Sequence, residues 1–209
     1  RLAQGRFLSD GRETSAALAA AKAAKAAIPN DARVADLLGL AQMASGDAIA
    51  AIETYNAMAR IAPDSPVPHL RLAAAHYRAN RPGAPIESLR KALALQPDLA
   101  EAQRGIVTLL LESGKIEEAM KEAKAVQQSR ANDATGYAME GDVLEKQGRP
   151  AEAARAYEEG LRRQSSPELL VKQIDNLNAA GQKAEANALA ARWIKQNPDD
   201  PIVRYHAAT

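Results

Sequence analysis

The residues of this chain that could do metal chemistry are few, and their spacing argues against it. His69 and His76 lie seven residues apart, which is about 10.5 Å along a helix. Histidine pairs that bind zinc on one helix are spaced i, i+4. The chain has no cysteine, and no acidic cluster nearby completes a set of ligands. We therefore predict that both histidines pack between helices and that the chain holds no metal.

A second candidate is the sequence SGK at residues 113–115, which is similar to the end of a phosphate-binding loop. Leu109 stands where such a loop has its first glycine, and Ile116 stands where it has the hydroxyl that binds Mg²⁺. Acidic pairs such as Glu117–Glu118 lie on amphipathic stretches and are typical of a solvated surface. We predict no catalytic residue and no cofactor, so the chain is predicted not to be an enzyme.

The composition indicates an all-α protein. Hydrophobic residues make up 46% of the 209 residues but aromatic residues only 3%, so the core must consist mainly of alanine and leucine, which favour helices. The net charge is +1 without a basic cluster, which argues against a nucleic-acid partner. No stretch is long and apolar enough to cross a membrane. Arg1 begins inside a helical pattern, and we interpret the chain as a fragment of a longer protein of undetermined oligomeric state.

A 34-residue repeat organises nearly the whole chain. Proline follows a helical stretch at Pro29, Pro63 and Pro97, because it lacks an amide hydrogen and cannot continue the helix. A second series of turn residues with nearly the same period consists of Gly46, Asn80, Gly114, Gly148 and Gly181. Each unit is therefore predicted to be helix, short turn, helix, longer turn. The predicted repeats span approximately 1–31 (partial), 32–65, 66–99, 100–133, 134–166, 167–200 and 201–209 (partial), in one array.

This pattern predicts about eleven antiparallel helices and no strand. Breaks are expected near Pro29, Pro63, Pro97, Asp133, Pro167 and Pro198, and residues such as Asp31, Ser65 and Asp133 are expected to cap the helices that follow. The sequence RPGAP at 81–85 places Pro85 where a helix would already have begun. We therefore predict a longer loop before Pro85 and a shorter helix after it.

The repeat resembles the tetratricopeptide repeat (TPR), which has a small residue at position 8, alanine at 20, an aromatic residue at 24 and proline at 32. In the unit 32–65 these are Gly39, Ala51, Tyr55 and Pro63. The resemblance implies a right-handed superhelical solenoid of antiparallel helix pairs. Residues 135–161 and 165–200 more narrowly resemble periplasmic TPR lipoproteins of bacterial exosortase (PEP-CTERM) and exopolysaccharide systems. That likeness implies a periplasmic or outer-membrane-anchored location in bacteria, with the cytoplasm as the alternative.

The resemblance also implies a function and a site. A TPR solenoid presents a concave groove lined by the first helix of each repeat, so we predict a non-catalytic scaffold that binds a segment of a protein or peptide partner there. The groove should be apolar and mildly basic at its N-terminal end and acidic further on, which suits a partner with an apolar anchor and a basic stretch. The residues expected to contact the partner are Arg33, Asp36, Leu40, Met43, Leu70, Tyr77, Arg78, Arg104, Thr108, Asp142 and Glu145.

Other functions remain to be weighed. A co-chaperone clamp for a terminal carboxylate needs lysine and asparagine at positions 5 and 9 of a first helix, and no unit has them. The alternative to a scaffold is the TPR region of a larger enzyme, such as a glycan-processing protein or glycosyltransferase. Trp193, the only tryptophan, could stack on a ligand, but its place at position 27 of a repeat favours a packing role. It is predicted to be largely buried.

Overall fold

The computed structural model describes the backbone of residues 2–201 and the side chains of residues 13–201. Within that range the chain forms eleven α-helices and no β-strand, which confirms the all-α class. The helices are α1 (Leu2–Ala27), α2 (Ala32–Ala44), α3 (Ala48–Ile61), α4 (Val67–Arg78), α5 (Ala84–Leu95), α6 (Ala100–Glu112), α7 (Ile116–Ser129), α8 (Thr135–Lys146), α9 (Pro150–Leu161), α10 (Pro167–Ala179) and α11 (Lys183–Gln196). The predicted segment 201–209 lies almost wholly outside the described residues.

The short turns between paired helices use the residues that the repeat marks. Asn80 and the four glycines of that series all have positive φ, from 51° at Asn80 to 85° at Gly46. Glycine adopts this left-handed conformation without the steric cost that a Cβ would bring. At Gly46 the amide also donates to the Met43 carbonyl at 3.1 Å, so the turn satisfies a carbonyl at the end of α2. Consecutive helices are thereby joined into hairpins.

The longer turns fall where proline or Asn-Asp interrupts the pattern. Helices end at Ala27, Ile61, Leu95, Ser129 and Gln196, each a few residues before a predicted break. Asp31, Ser65 and Asp133 each accept a hydrogen bond from the backbone amide two residues further on, at 2.7, 3.3 and 2.6 Å. The predicted caps therefore satisfy amides that the first turn of a helix leaves unpaired.

The residues divide into two compact units, unit 1 (Arg1–Ala102) and unit 2 (Gln103–Thr209), and the division falls within α6. In unit 1, α1 to α5 pack each against the next, and in unit 2 the same holds for α7 to α11. Each core is built mostly from alanine, leucine and one tyrosine at repeat position 24. Tyr55 and Tyr157 are fully buried, and Gly39 and Gly141 lie directly over their rings, where a Cβ would overlap the ring atoms.

The N-terminal helix departs from the pattern of the later units. α1 runs without interruption for 26 residues, whereas the repeat suggests a turn in its first half. Its side chains before residue 13 lie outside the described residues. In the C-terminal half of α1, Ala21 is buried beside Leu38 and Ala41 of α2.

The RPGAP segment has the predicted loop. Residues 79–83 separate α4 from α5, five residues where the other helix pairs are joined by three. Pro85 lies in the first turn of α5, where its missing amide hydrogen has no helical partner to lose. α5 has 12 residues, fewer than α3, α7 and α11 with 14 each, and as many as α9. The shorter helix is thus confirmed against three of its four counterparts.

Trp193 packs as predicted but is less buried than predicted. It lies against the core cluster that contains Leu170, and it occupies the repeat position that Gly160 holds in the preceding unit, where an added Cβ would meet Leu169. However, the Trp193 ring is only partly buried, because its Nε1 donates to Asp200 Oδ2 at 2.7 Å. An indole N–H needs such a partner, which keeps the ring at the surface.

Candidate partner-binding faces

The first helices α2 and α4 lie side by side in unit 1. Arg71 Nε donates to Asp36 Oδ1 at 2.8 Å, and its Nη2 donates to Asp36 Oδ2 at 3.2 Å. Asp36, Leu40 and Met43 follow one another at i, i+4 and i+7, and so do Leu70 and Tyr77 at i and i+7, so each set shares a side of its helix. We call the surface formed by Asp36, Leu40, Leu70, Arg71 and Tyr77 the unit 1 face.

The unit 1 face exposes large apolar side chains. Tyr77 is 53% exposed and Leu40 is 42% exposed, while Leu70 is half-buried. Met43 is instead half-buried against the core of unit 1, so it contributes less surface than predicted. Folding leaves these apolar groups in water, and that arrangement is costly unless something covers them.

The predicted arginines of unit 1 differ in what they contact. Arg33 pairs with the helix cap Asp31, with Nη2 and Oδ2 2.9 Å apart. These hydrogen bonds from the Arg33 side chain and amide lower the pKa of Asp31 to about 2. Arg78 is exposed at the end of α4. Exposed ion pairs stabilise a fold little, so the Arg33–Asp31 pair adds little to stability, and Arg78 places an exposed positive charge at the end of α4.

In unit 2 the corresponding side chains bind one another. Tyr157 Oη lies 2.8 Å from Asp142 Oδ1 and 3.0 Å from Glu145 Oε2. Lys172 Nζ donates to Asp142 Oδ1 at 2.5 Å, and Asn176 Nδ2 donates to Glu145 Oε2 at 3.1 Å. Burial, together with the two carboxylates, raises the pKa of Tyr157 well above its usual range. We call the surface formed by Asp142, Glu145, Lys172 and Asn176 the unit 2 face.

The unit 2 face borders a shallow cavity of about 580 Å³, which Leu111 and Asp175 also line. The cavity is lined by three carboxylates and by two lysines, Lys146 and Lys172. The formal charge of its lining is therefore −1. The predicted acidic character is present, but the carboxylates of Asp142 and Glu145 already accept hydrogen bonds within unit 2. Arg104 and Thr108, the remaining predicted contact residues, are exposed on α6.

Sequence reasoning missed the two cations that organise these faces. Arg71 and Lys172 both stand at position 6 of their repeats, and neither is among the predicted contact residues. Each pairs with a carboxylate of the preceding first helix. The sequence does contain a sign of these pairs. A cation stands at the same position in two repeats, and in both cases the preceding repeat has a predicted acidic contact residue.

The two histidines are half-buried on α4, and their Nδ1 atoms are buried without a hydrogen-bond partner. Burial lowers the pKa of each, and the nearby Lys91 lowers it further. Among the described residues no group of three or more His, Cys, Asp or Glu side chains is placed to hold a metal ion. None of the described helices is long and apolar enough to cross a membrane.

Helix hairpins in tandem, with side chains of successive first helices bonded to each other, define a helical-repeat protein. The family model of the tetratricopeptide repeat-like domain matches residues 65–179, more than half of the chain. The chain therefore belongs to the tetratricopeptide repeat-like family. Repeat proteins of this type are generally non-catalytic scaffolds. No curated protein matches the chain closely enough to count as a relative.

Solved structures of TPR proteins share the fold. The thermophilic TPR protein TTC0263 of Thermus thermophilus is 19% identical with a TM-score of 0.60, over 85% of this chain and 97% of that one. MamA from Desulfovibrio magneticus RS-1 is 14% identical with a TM-score of 0.57, over 81% and 97%. YrrB, described as a TPR protein with an unusual peptide-binding site, is 12% identical with a TM-score of 0.52, over 91% and 98%. At these identities the likeness establishes the fold alone.

Proposed function

We propose that the chain is a non-catalytic interaction scaffold that holds a segment of a protein partner on the unit 1 face. The observation that carries this proposal is the distribution of exposed apolar side chains. Among the described side chains, seven large hydrophobic residues are exposed, and all seven lie in unit 1. Exposed large apolar side chains, where they cluster, mark interaction sites, and Leu40 and Tyr77 lie on the two first helices that the Asp36–Arg71 pair joins.

The chemistry of the unit 1 face specifies the kind of segment. Tyr77 offers a broad ring with a polar end, which is the type of side chain enriched where binding energy concentrates. Leu40 on α2 and the half-buried Leu70 on α4 offer aliphatic surface on the two helices that the Asp36–Arg71 ion pair joins. A partner segment with an apolar anchor fits this arrangement, and the ion pair fixes the two helices that flank the anchor. The peptide-binding site in the name of YrrB supports this role by analogy.

The unit 2 face has a secondary place in this proposal. Asp142 and Glu145 were predicted to attract a basic stretch, and that remains a prediction. Their hydrogen bonds to Tyr157, Lys172 and Asn176 mean that a cation from a partner would have to compete with groups already in place. Any contribution of this face should therefore act through long-range charge and weaken with salt.

The experiment first identifies a partner with the full chain as bait in the native host, and then measures affinities of variants. Leu40→Ala/Tyr77→Ala should weaken binding by about tenfold or more, as expected for anchor residues. The matched control is Ile49→Ala/Leu95→Ala, which removes side chains of similar exposure, 50% and 40%, from the second helices α3 and α5. Equal affinity for both variants, with the fold intact, contradicts the proposal.

The finer role is also a proposal. Residues 135–161 and 165–200 support a part in assembling a bacterial exopolysaccharide or surface-protein sorting system, at a periplasmic or outer-membrane-anchored location. Co-purification of sorting or polysaccharide proteins from the periplasm would support it. A cytoplasmic location would contradict this finer role. A catalytic domain in the same polypeptide would favour the alternative, a TPR region within a larger enzyme.

A further inference from the structure

Two buried ring nitrogens of unit 1 have no hydrogen-bond partner. They are the Nδ1 atoms of His69 and His76 on α4. The two histidines stand seven residues apart, so both lie on the same side of the helix. Native proteins rarely retain buried polar atoms without partners unless these atoms have a role. The role of these two nitrogens follows from what a proton would do to them.

Protonation of either ring makes its buried position costly. A neutral imidazole has one N–H group and one acceptor nitrogen, so with the hydrogen on Nε2 the buried Nδ1 is only an unpaired acceptor. A charged imidazolium has an N–H group at both nitrogens, and the buried one then carries part of a positive charge without an acceptor. Burial of an unpaired charged group costs far more than burial of an unpaired neutral one.

The charged groups around the two rings add to this cost. Burial and Lys91 of α5 lower the pKa of both histidines, and Arg81, in the loop before α5, lowers the pKa of the second. Glu87 of α5 acts in the opposite direction on the second histidine. The other helix packed against α4 is α3, and its charged residues Glu53 and Arg60 are both exposed. A proton on either ring therefore meets mainly positive charge.

Each histidine directly precedes a residue of the unit 1 face. His69 is followed by Leu70, and His76 is followed by Tyr77. A charged ring regains water only by moving away from α5. Because the rings and the residues of the face belong to one helix, that movement also displaces Leu70 and Tyr77. The position of α4 therefore couples proton binding to the unit 1 face.

We propose that acid opens the packing of α4 against α5 and thereby releases a partner from the unit 1 face. The release rests on the proposed function, whereas the opening does not. The opened state binds protons with an ordinary histidine pKa, and the packed state binds them less well. Binding of the partner is therefore strongest above about pH 6.5 and weakens as the pH falls below that value. Between pH 7.5 and pH 5.5 each histidine can contribute at most about tenfold.

An NMR titration of the full chain without a partner tests the opening. The backbone amide signals of Leu70 and Tyr77 should move with pH along the same curve as the imidazole signals of His69 and His76. In the double variant His69→Gln/His76→Gln those amide signals should stay constant, because glutamine does not titrate. Amide signals that are constant in the wild type, or that move equally in the variant, overturn the inference.

The affinity of the purified partner, once it is identified with the full chain as bait, tests the release. Its dissociation constant should rise about tenfold from pH 7.5 to pH 5.5 for the wild type, and less than about twofold for His69→Gln/His76→Gln. Lys91→Gln should reduce the rise, because it removes a positive charge that opposes protonation of the packed state. The matched control is Lys121→Gln, which changes an exposed lysine of unit 2 and should keep the wild-type pH profile.

These measurements distinguish a failure of this inference from a failure of the proposed function. A wild-type affinity that does not change with pH overturns the release. If Leu40→Ala/Tyr77→Ala then also binds like the wild type, the proposed function has failed as well, because the partner does not use the unit 1 face. If that variant binds more weakly, the partner uses the face and only its control by pH is wrong. Should the double histidine variant not fold, the comparison of Lys91→Gln with its control decides the question with both histidines in place.

Discussion

Tyr55 and Tyr157 occupy the same position in two repeats, and their hydroxyl groups have different surroundings. Both rings are fully buried beneath a glycine of the preceding helix. Tyr157 Oη is hydrogen-bonded to the two carboxylates of the unit 2 face. Tyr55 Oη has no hydrogen-bond partner among the described residues, and Asp36, the carboxylate that acts on its pKa, is paired with Arg71. Burial, with Asp36, raises the pKa of Tyr55 to about 12.

The difference shows how one repeat scaffold produces two kinds of surface. In unit 2 a buried tyrosine, a lysine and an asparagine hydrogen-bond to the carboxylates of Asp142 and Glu145. The carboxylates of the unit 2 face therefore already have partners within the fold. In unit 1 the corresponding network is reduced to the Asp36–Arg71 pair, and apolar side chains such as Leu40 and Tyr77 are exposed instead. The ring anchors the hairpin in both units. The hydroxyl contributes to the face only in unit 2.

The largest effect should come from removing either ring. Tyr55→Ala and Tyr157→Ala should each lower the free energy of unfolding by about 3–5 kcal/mol, because each leaves a large cavity in its core. Amide hydrogen exchange should place the loss of protection in unit 1 for the first variant and in unit 2 for the second. A cost below about 1 kcal/mol for either variant would mean that the ring is not the anchor.

Removing only the hydroxyl groups should separate the two units. Tyr157→Phe should cost about 1.5–3 kcal/mol, because the hydroxyl bonds to charged carboxylates that then lose a donor. Tyr55→Phe removes a hydroxyl without a partner and should cost less than about 0.5 kcal/mol. Denaturant unfolding of both variants measures this difference, and equal costs would show that the contrast between the faces has no energetic basis.

A smaller effect should appear with pH, and only in unit 1. Burial lowers the pKa of His69 and His76 below the ordinary 6.5, Lys91 lowers both further, and for His76 Arg81 also lowers it while Glu87 raises it. Because these pKa values are lowered by folding, each histidine binds fewer protons in the folded state than in the unfolded state. Its contribution to stability is therefore complete above about pH 6.5 and declines as the pH falls through that value.

Hydrogen exchange at pH 7.5 and pH 5.5, corrected for the intrinsic rate, measures this decline. Unit 1 should lose protection at the lower pH, and unit 2, which has no histidine among its described residues, should not. The double variant His69→Gln/His76→Gln should reduce the pH dependence of unit 1. If the variant keeps the wild-type pH dependence, the histidines are not its source.

How far the sequence predicts this molecule depends on whether a feature is local. The turns at Gly46 and Asn80 and the loop at RPGAP follow from backbone preferences of single residues, and all were predicted. The pairing of Arg71 with Asp36 joins residues one repeat apart, and positions assigned one at a time do not show it. The partial exposure of Trp193 likewise depends on a contact with Asp200 that no periodicity indicates.

The roles of Gln42 and Gln173 could not be told apart from the sequence for the same reason. Both are buried glutamines on first helices, and only packing shows that one pairs with Thr54 and the other lines a cleft between α9, α10 and α11. The predicted set of contact residues stays a prediction, because no partner is present to show which side chains it touches. It did not predict which of them are already engaged.

The most direct test of the central claim is a crosslinking comparison of the two faces. A photoreactive amino acid is placed singly at Leu40, Tyr77, Glu145 or Lys172, and each full-length variant is irradiated in the native host. The account predicts that positions 40 and 77 capture the same partner in good yield, whereas positions 145 and 172 capture little of it, and that higher salt leaves the yields at 40 and 77 largely unchanged. Capture at positions 145 and 172 with none at 40 and 77 would contradict the account.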